Sequence, residues 1–96
     1  MNHLPRELRA VVHIFTYDDE LKRKALPHVD QESNCIDWEK IFSQDVGSGH
    51  AAALSWAHAL WSSCVTEEIF WAAFSMDMEL RKRILEAQAI LWGISG

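Results

Sequence analysis

The chain has 96 residues, of which 49% are hydrophobic and 24% charged, and its formal net charge is −5. This composition excludes a disordered segment, and the length indicates a single domain over residues 1–96. The acidic balance argues against nucleic acid as a partner, because a negative surface repels the phosphate backbone.

The sequence also argues against a membrane partner or an exported protein. No apolar run approaches the ~20 residues that span a bilayer, and the first eight residues lack an apolar export core. We therefore expect a cytoplasmic protein. Cys35 and Cys64 are expected to be reduced thiols there, with a single bridge between them as the alternative.

Helical spacing of apolar residues begins near the start of the chain, whereas alternating strand patterns are missing. A first helix is predicted to begin near Leu4–Pro5, since proline suits a first turn. Thr16 or Asp18 is predicted to cap a second, short helix that stops at Pro27. Residues 27–34 are predicted to form a polar loop.

A third helix is predicted after this loop. Ser33 or Asn34 can supply its cap, and Gly47 is predicted to end it. The apolar residues expected to face the core are Trp38, Ile41 and Phe42.

The fourth helix is predicted to begin at Ser48 and to be buried at the centre of the fold. When it is wound at about 100° per residue, its narrow polar side carries Ser48, Ser55, Ala59 and Ser62. The centre of the apolar arc is formed by Ala53, Ala57 and Cys64. Small residues along this arc let a neighbouring helix approach closely.

The segment Gly47-Ser48-Gly49 resembles a phosphate-binding loop only superficially, because the lysine of the GxxxxGK[ST] pattern is missing. We interpret it as the end of one helix and the cap of the next. His50 lies inside the apolar arc of the fourth helix, where a structural role is expected. The alternative function is a small apolar ligand held in a pocket that is lined by His50, Trp56 and Trp61.

No pattern for catalysis or metal binding is present in the sequence. It contains no GxSxG, HExxH or CxxC motif, and His50 and His58 are too far apart on a helix to share a metal. We therefore expect no enzyme, no metal and no cofactor.

The C-terminal region from Glu67 to Trp92 has neither glycine nor proline. Thr66 can cap its start and Gly93 can end it. The regular apolar spacing predicts either one long helix or two nearly coaxial ones, with a break at residues 75–77 as the alternative. The core stripe consists of Ile69, Ala73, Met76, Leu80, Ile84, Ala87 and Leu91.

A second apolar stripe lies at roughly 140° from the first one when residues are placed at 100° intervals. Arg81 and Lys82 border it. It repeats every seven residues and consists of Trp71, Met78, Leu85 and Trp92.

We expect an all-α bundle of about five helices, which has few residues left to bury this second stripe. The alternative is that the first two helices bury it. Exposed Trp, Met and Leu beside Arg are typical of protein contacts, and a heptad spacing favours paired helices in a two-fold dimer. We therefore predict a non-catalytic, regulatory or inhibitor-like interaction domain that forms a homodimer. The predicted contact residues are Trp71, Met78, Arg81, Leu85 and Trp92.

Overall fold

The computed structural model describes residues 5–94 as six α-helices, two short 3₁₀ turns and one two-stranded ladder. The all-α prediction is confirmed. None of the helices described is long and apolar enough to cross a bilayer. The helices are α1 (Arg6–Phe15), α2 (Asp19–Ala25), α3 (Trp38–Phe42), α4 (Ser48–Ser62), α5 (Glu67–Ala72) and α6 (Met78–Trp92).

The core is built where α1 packs against both α4 and α6. The apolar residues of α1 recur at three- and four-residue intervals, so they share one face of the helix. That face is fully buried and consists of Leu8, Val11, Ile14 and Phe15. Helix α6 contributes Leu80, Ile84 and Ala87 to the same core.

Helix α4 is buried more completely than the sequence predicted. Ala59 was assigned to the polar side of the helix, but it is fully buried. Cys64 was assigned to the buried arc, but it is exposed. The helix ends at Ser62 and the next residue, Ser63, has a left-handed φ of 58°, so the helical projection no longer applies at Cys64.

The predicted polar loop contains a small antiparallel ladder between β1 (Val29–Asp30) and β2 (Cys35–Ile36). The Asp30 carboxylate accepts hydrogen bonds from the backbone N–H groups of Glu32 and Ser33. Asn34 has a φ of 57°, a conformation that asparagine tolerates better than most residues. These local bonds turn the chain within four residues.

The hairpin also moves the start of α3, so the predicted caps at Ser33 and Asn34 are wrong. Asp37 caps the helix instead, accepting a hydrogen bond from the N–H of Lys40. The helix ends at Phe42, which is 44% exposed rather than core-facing. Gly47 does not end α3; it is the N-cap residue of α4, so the predicted cap at Ser48 is wrong and Ser48 is the first residue of the helix.

The C-terminal region is two helices, so the break near residues 75–77 is confirmed and the single long helix is wrong. Thr66 caps α5 as predicted, and Gly93 ends α6 with a φ of 74°. Between the helices, residues 73–75 form a 3₁₀ turn and Met76 is extended. A Cβ on Gly49 would lie 3.2 Å from the carbonyl oxygen of Ser75, so the glycine lets the first turn of α4 approach this break.

Candidate functional site

The structure exposes six large apolar side chains on α5, the following 3₁₀ turn and α6. We call them the α5–α6 surface. Their exposed fractions range from 53% to 70%. All four residues of the second apolar stripe are among them. The members are Phe70, Trp71, Phe74, Met78, Leu85 and Trp92.

Three of these side chains form an aromatic cluster at the end of α5. Phe70 and Trp71 meet edge to face with ring centroids 5.2 Å apart, and Trp71 stacks on Phe74 at 5.6 Å. Each of the three residues is also more than half exposed, so the cluster presents a continuous aromatic area to solvent.

Arg81 holds the aromatic cluster against α6. Its Nε donates to the carbonyl of Ala73 at 3.0 Å, and its Nη2 donates to the carbonyl of Phe74 at 3.3 Å. The guanidinium carbon also lies 5.2 Å from the centroid of the Phe74 ring, within the range of a cation–π contact. Arg81 was predicted to contact a partner, and its observed contacts position the surface from within the chain.

A groove of about 250 Å³ runs between the 3₁₀ turn and α6. It is smaller than most ligand pockets, which occupy ~300–1,000 Å³, but it has room for a single aromatic side chain. It is mainly apolar and is lined by Trp56, Phe70, Ala73, Phe74, Met76, Arg81, Ile84, Leu85 and Gln88.

His50 joins the first turn of α4 to α2. Its Nε2 lies 2.8 Å from Asp18 Oδ2, and its Nδ1 lies 3.1 Å from Glu20 Oε1. Burial disfavours the ionised Asp18, but hydrogen bonds from the Leu21 N–H and from His50 outweigh burial and lower the pKa of Asp18. The pKa of Glu20 is also lowered, mainly by its hydrogen bond from Lys24. This geometry matches the structural role expected for His50.

The three residues of the alternative ligand pocket have different surroundings. His50 lines a polar cleft together with Tyr17 and Asp77, whereas Trp56 lines the apolar groove beside α6. Trp61 is half-buried against the core. The structure therefore does not bring His50 and Trp56 into one cleft.

Cys35 and Cys64 are both exposed free thiols, so the alternative of a bridge between them is wrong. Within residues 5–94, no group of three or more His, Cys, Asp or Glu side chains could hold a metal ion.

Sequence reasoning missed Phe70 and Phe74 as members of the surface. Both lie in the longest uninterrupted apolar run of the chain, residues 69–74. A helix buried on one side cannot hide six consecutive apolar residues, so this run was the available signal. Phe70 and Phe74 come close to Leu85 because the helix is interrupted between α5 and α6, and a projection of one continuous helix does not include this interruption.

Comparison of the chain with protein-family models, curated proteins and solved structures found no match. The class of protein must therefore be argued from its own geometry. The fold and the α5–α6 surface define a small helical domain with a large exposed apolar surface.

Proposed function

We propose that this protein is a non-catalytic cytoplasmic interaction domain, regulatory or inhibitor-like, that forms a homodimer through the α5–α6 surface. The observation that carries the proposal is the exposure of six large apolar side chains in this region. Soluble monomers rarely expose apolar patches larger than a few hundred Å².

The exposed area of these side chains supports a stable contact. A large aromatic side chain has ~150–250 Å² of surface. If Met78 and Leu85 are given the same range, six side chains that are 53–70% exposed present roughly 550–950 Å². A standard interface takes about 800 Å² from each partner. The surface is therefore large enough for one such interface.

The chemistry of the surface also supports a protein partner. Interface centres are enriched in Trp, Phe, Met and Arg and depleted of Lys, Glu and Asp. The six members are Trp, Phe, Met and Leu, and their central cation, Arg81, is already bonded to two carbonyl groups. Two of the donor groups of Arg81 are therefore already satisfied when a partner covers the surface.

The polar side chains with catalytic potential support a non-catalytic role. The ring nitrogens of His50 face Asp18 and Glu20, and the Nε2 of His13 lies 2.7 Å from Glu86. Each of these pairs ties two helices together. Their observed contacts serve the fold.

The proposal is tested by placing a charge at the centre of the surface. Leu85→Glu would bury two carboxylates in the dimer, so we expect dissociation to become about 100-fold easier, or ~2.7 kcal/mol. Sedimentation velocity over a concentration series measures this. The matched control is Phe42→Glu, which changes an exposed apolar residue outside the α5–α6 surface.

The control should dimerise like the wild type, and circular dichroism should show the same helical content for all three proteins. A wild-type chain that stays monomeric, or a dimer that Leu85→Glu leaves intact, would contradict the proposal.

A further inference from the structure

A two-fold contact uses the same patch on both copies, so the patch must be complementary to itself. The α5–α6 surface contains both a groove and a projecting side chain. The groove lies beside Phe74 and Leu85, and the projecting side chain is Trp92, which is 65% exposed. Trp92 is not among the residues that line the groove of its own chain.

The charges of α6 favour an antiparallel pairing. Arg81 and Lys82 lie beside the first half of its exposed stripe, whereas the second half carries the neutral residues Gln88, Ala89 and Trp92. A parallel pair would place Lys82 next to Lys82 of the partner subunit. An antiparallel pair centred on Leu85 separates them by about 9 Å along the helix, at 1.5 Å per residue, and also opposes the two helix dipoles.

In an antiparallel pair centred on Leu85, the C-terminal end of one α6 lies beside the N-terminal end of the other. Trp92 and Met78 are each seven residues from Leu85, so Trp92 of one copy lies opposite Met78 of the other. Side chains on a helix lean toward its N-terminus. In an antiparallel pair this lean carries Trp92 from Met78 toward Arg81, and so toward the groove.

We infer that two copies pair with their α6 helices antiparallel about Leu85, and that Trp92 of each copy enters the groove of the other beside Phe74. This inference rests on the proposed homodimer and specifies its geometry. The dimer then contains two equivalent contacts between Trp92 and the partner's groove.

The test exploits this symmetry with two variants, Trp92→Ala and Phe74→Ala. In either homodimer both contacts are damaged, so we expect dissociation constants about 10- to 100-fold higher than that of the wild type. In a mixed pair, the intact Trp92 of the Phe74→Ala chain meets the intact groove of the Trp92→Ala chain. Fluorescence titration of labelled chains should therefore show mixed pairs about 3- to 10-fold tighter than either homodimer, because one of the two contacts is restored, beyond the statistical preference for mixing.

A second measurement uses a chain in which Cys35 and Cys64 are replaced by Ser. Leu85→Cys in that background should form a symmetric disulfide under mild oxidation, whereas Met78→Cys should not, because the antiparallel pair separates the two copies of residue 78 by about 21 Å along the helix at 1.5 Å per residue. This cross-linking measurement does not depend on how well the alanine variants fold.

The outcomes separate this inference from the proposed function. If both alanine variants weaken the dimer but the mixture is no tighter, the antiparallel arrangement is wrong and the interaction surface stands. A failure of Leu85→Cys to cross-link while the wild type dimerises also overturns the arrangement. A monomeric wild type overturns both.

Discussion

Asp77 is the residue that most directly sets where α6 begins. Its carboxylate accepts a hydrogen bond from the N–H of Leu80 at 2.8 Å and a longer one, at 3.3 Å, from the hydroxyl of Tyr17. The first turn of a helix leaves its N–H groups without partners, and an acidic cap satisfies one of them. Asp77 therefore stabilises both the break and the helix after it.

We expect Asp77→Ala to lower the free energy of unfolding by about 1–2 kcal/mol, the usual effect of losing a helix cap. Urea denaturation followed by circular dichroism measures the change. Asp77→Asn is the matched control, because asparagine also caps helices, and it should recover most of the lost stability. Equal losses in both variants would show that capping is not what Asp77 contributes.

At the scale of the elements, the break between α5 and α6 brings the aromatic residues of α5 and the 3₁₀ turn beside Leu85. The sequence predicted the cap at Thr66 and the end at Gly93, and it offered Asp18, the observed cap of α2, beside Thr16, because local backbone chemistry fixes these positions. It left the break open because the core stripe keeps its phase through residues 75–77. The two-residue strands were missed for a related reason, since they are too short to show an alternating pattern.

Arg81 should matter to association more than its position at the edge of the stripe suggests. Arg81→Lys keeps the charge but loses the fork that reaches the carbonyls of both Ala73 and Phe74. We expect the dimer to weaken about 5- to 10-fold while the melting temperature changes little. Arg23→Lys, at an exposed position on α2, is the control and should change neither quantity.

Hydrogen exchange at residues 73–75 should become faster in the Arg81→Lys variant, because the 3₁₀ turn loses its side-chain contacts. An unchanged exchange rate together with an unchanged dissociation constant would contradict this positioning role.

At the scale of the whole molecule, close histidine–carboxylate pairs connect helices that are distant in sequence. His13 on α1 meets Glu86 on α6, and the hydrogen bond from His13 lowers the pKa of Glu86. His50 on α4 meets Asp18 and Glu20, whose pKa values are also lowered. None of these long-range pairs was predicted, because one sequence does not show which distant residues meet.

These shifts predict an acid-sensitive fold. A carboxyl whose pKa is lower in the folded chain than in the unfolded one stabilises the fold above its unfolded pKa, and this contribution disappears as the pH falls through the folded pKa. Unfolding free energies should therefore decrease below about pH 4.5, near the ordinary carboxyl pKa values. Urea titrations between pH 7 and pH 3 measure the dependence.

His50→Gln should reduce the part of this pH dependence that comes from Asp18 and Glu20, since it removes a hydrogen bond to the ionised Asp18 and an electrostatic attraction that favours the ionised Glu20. His28→Gln is the control, because His28 belongs to neither of these pairs. If His50→Gln and the wild type show the same acid profile, His50 does not contribute to the shifts.

The position of α1 between α4 and α6 has a consequence for how the chain is made. Ribosomes synthesise α1 before α6, yet these two helices pack together in the core. Until α6 has left the ribosome, the apolar face of α1, which includes Val11 and Ile14, cannot be completely buried. Truncation before Met78 should therefore yield a product that aggregates or is degraded.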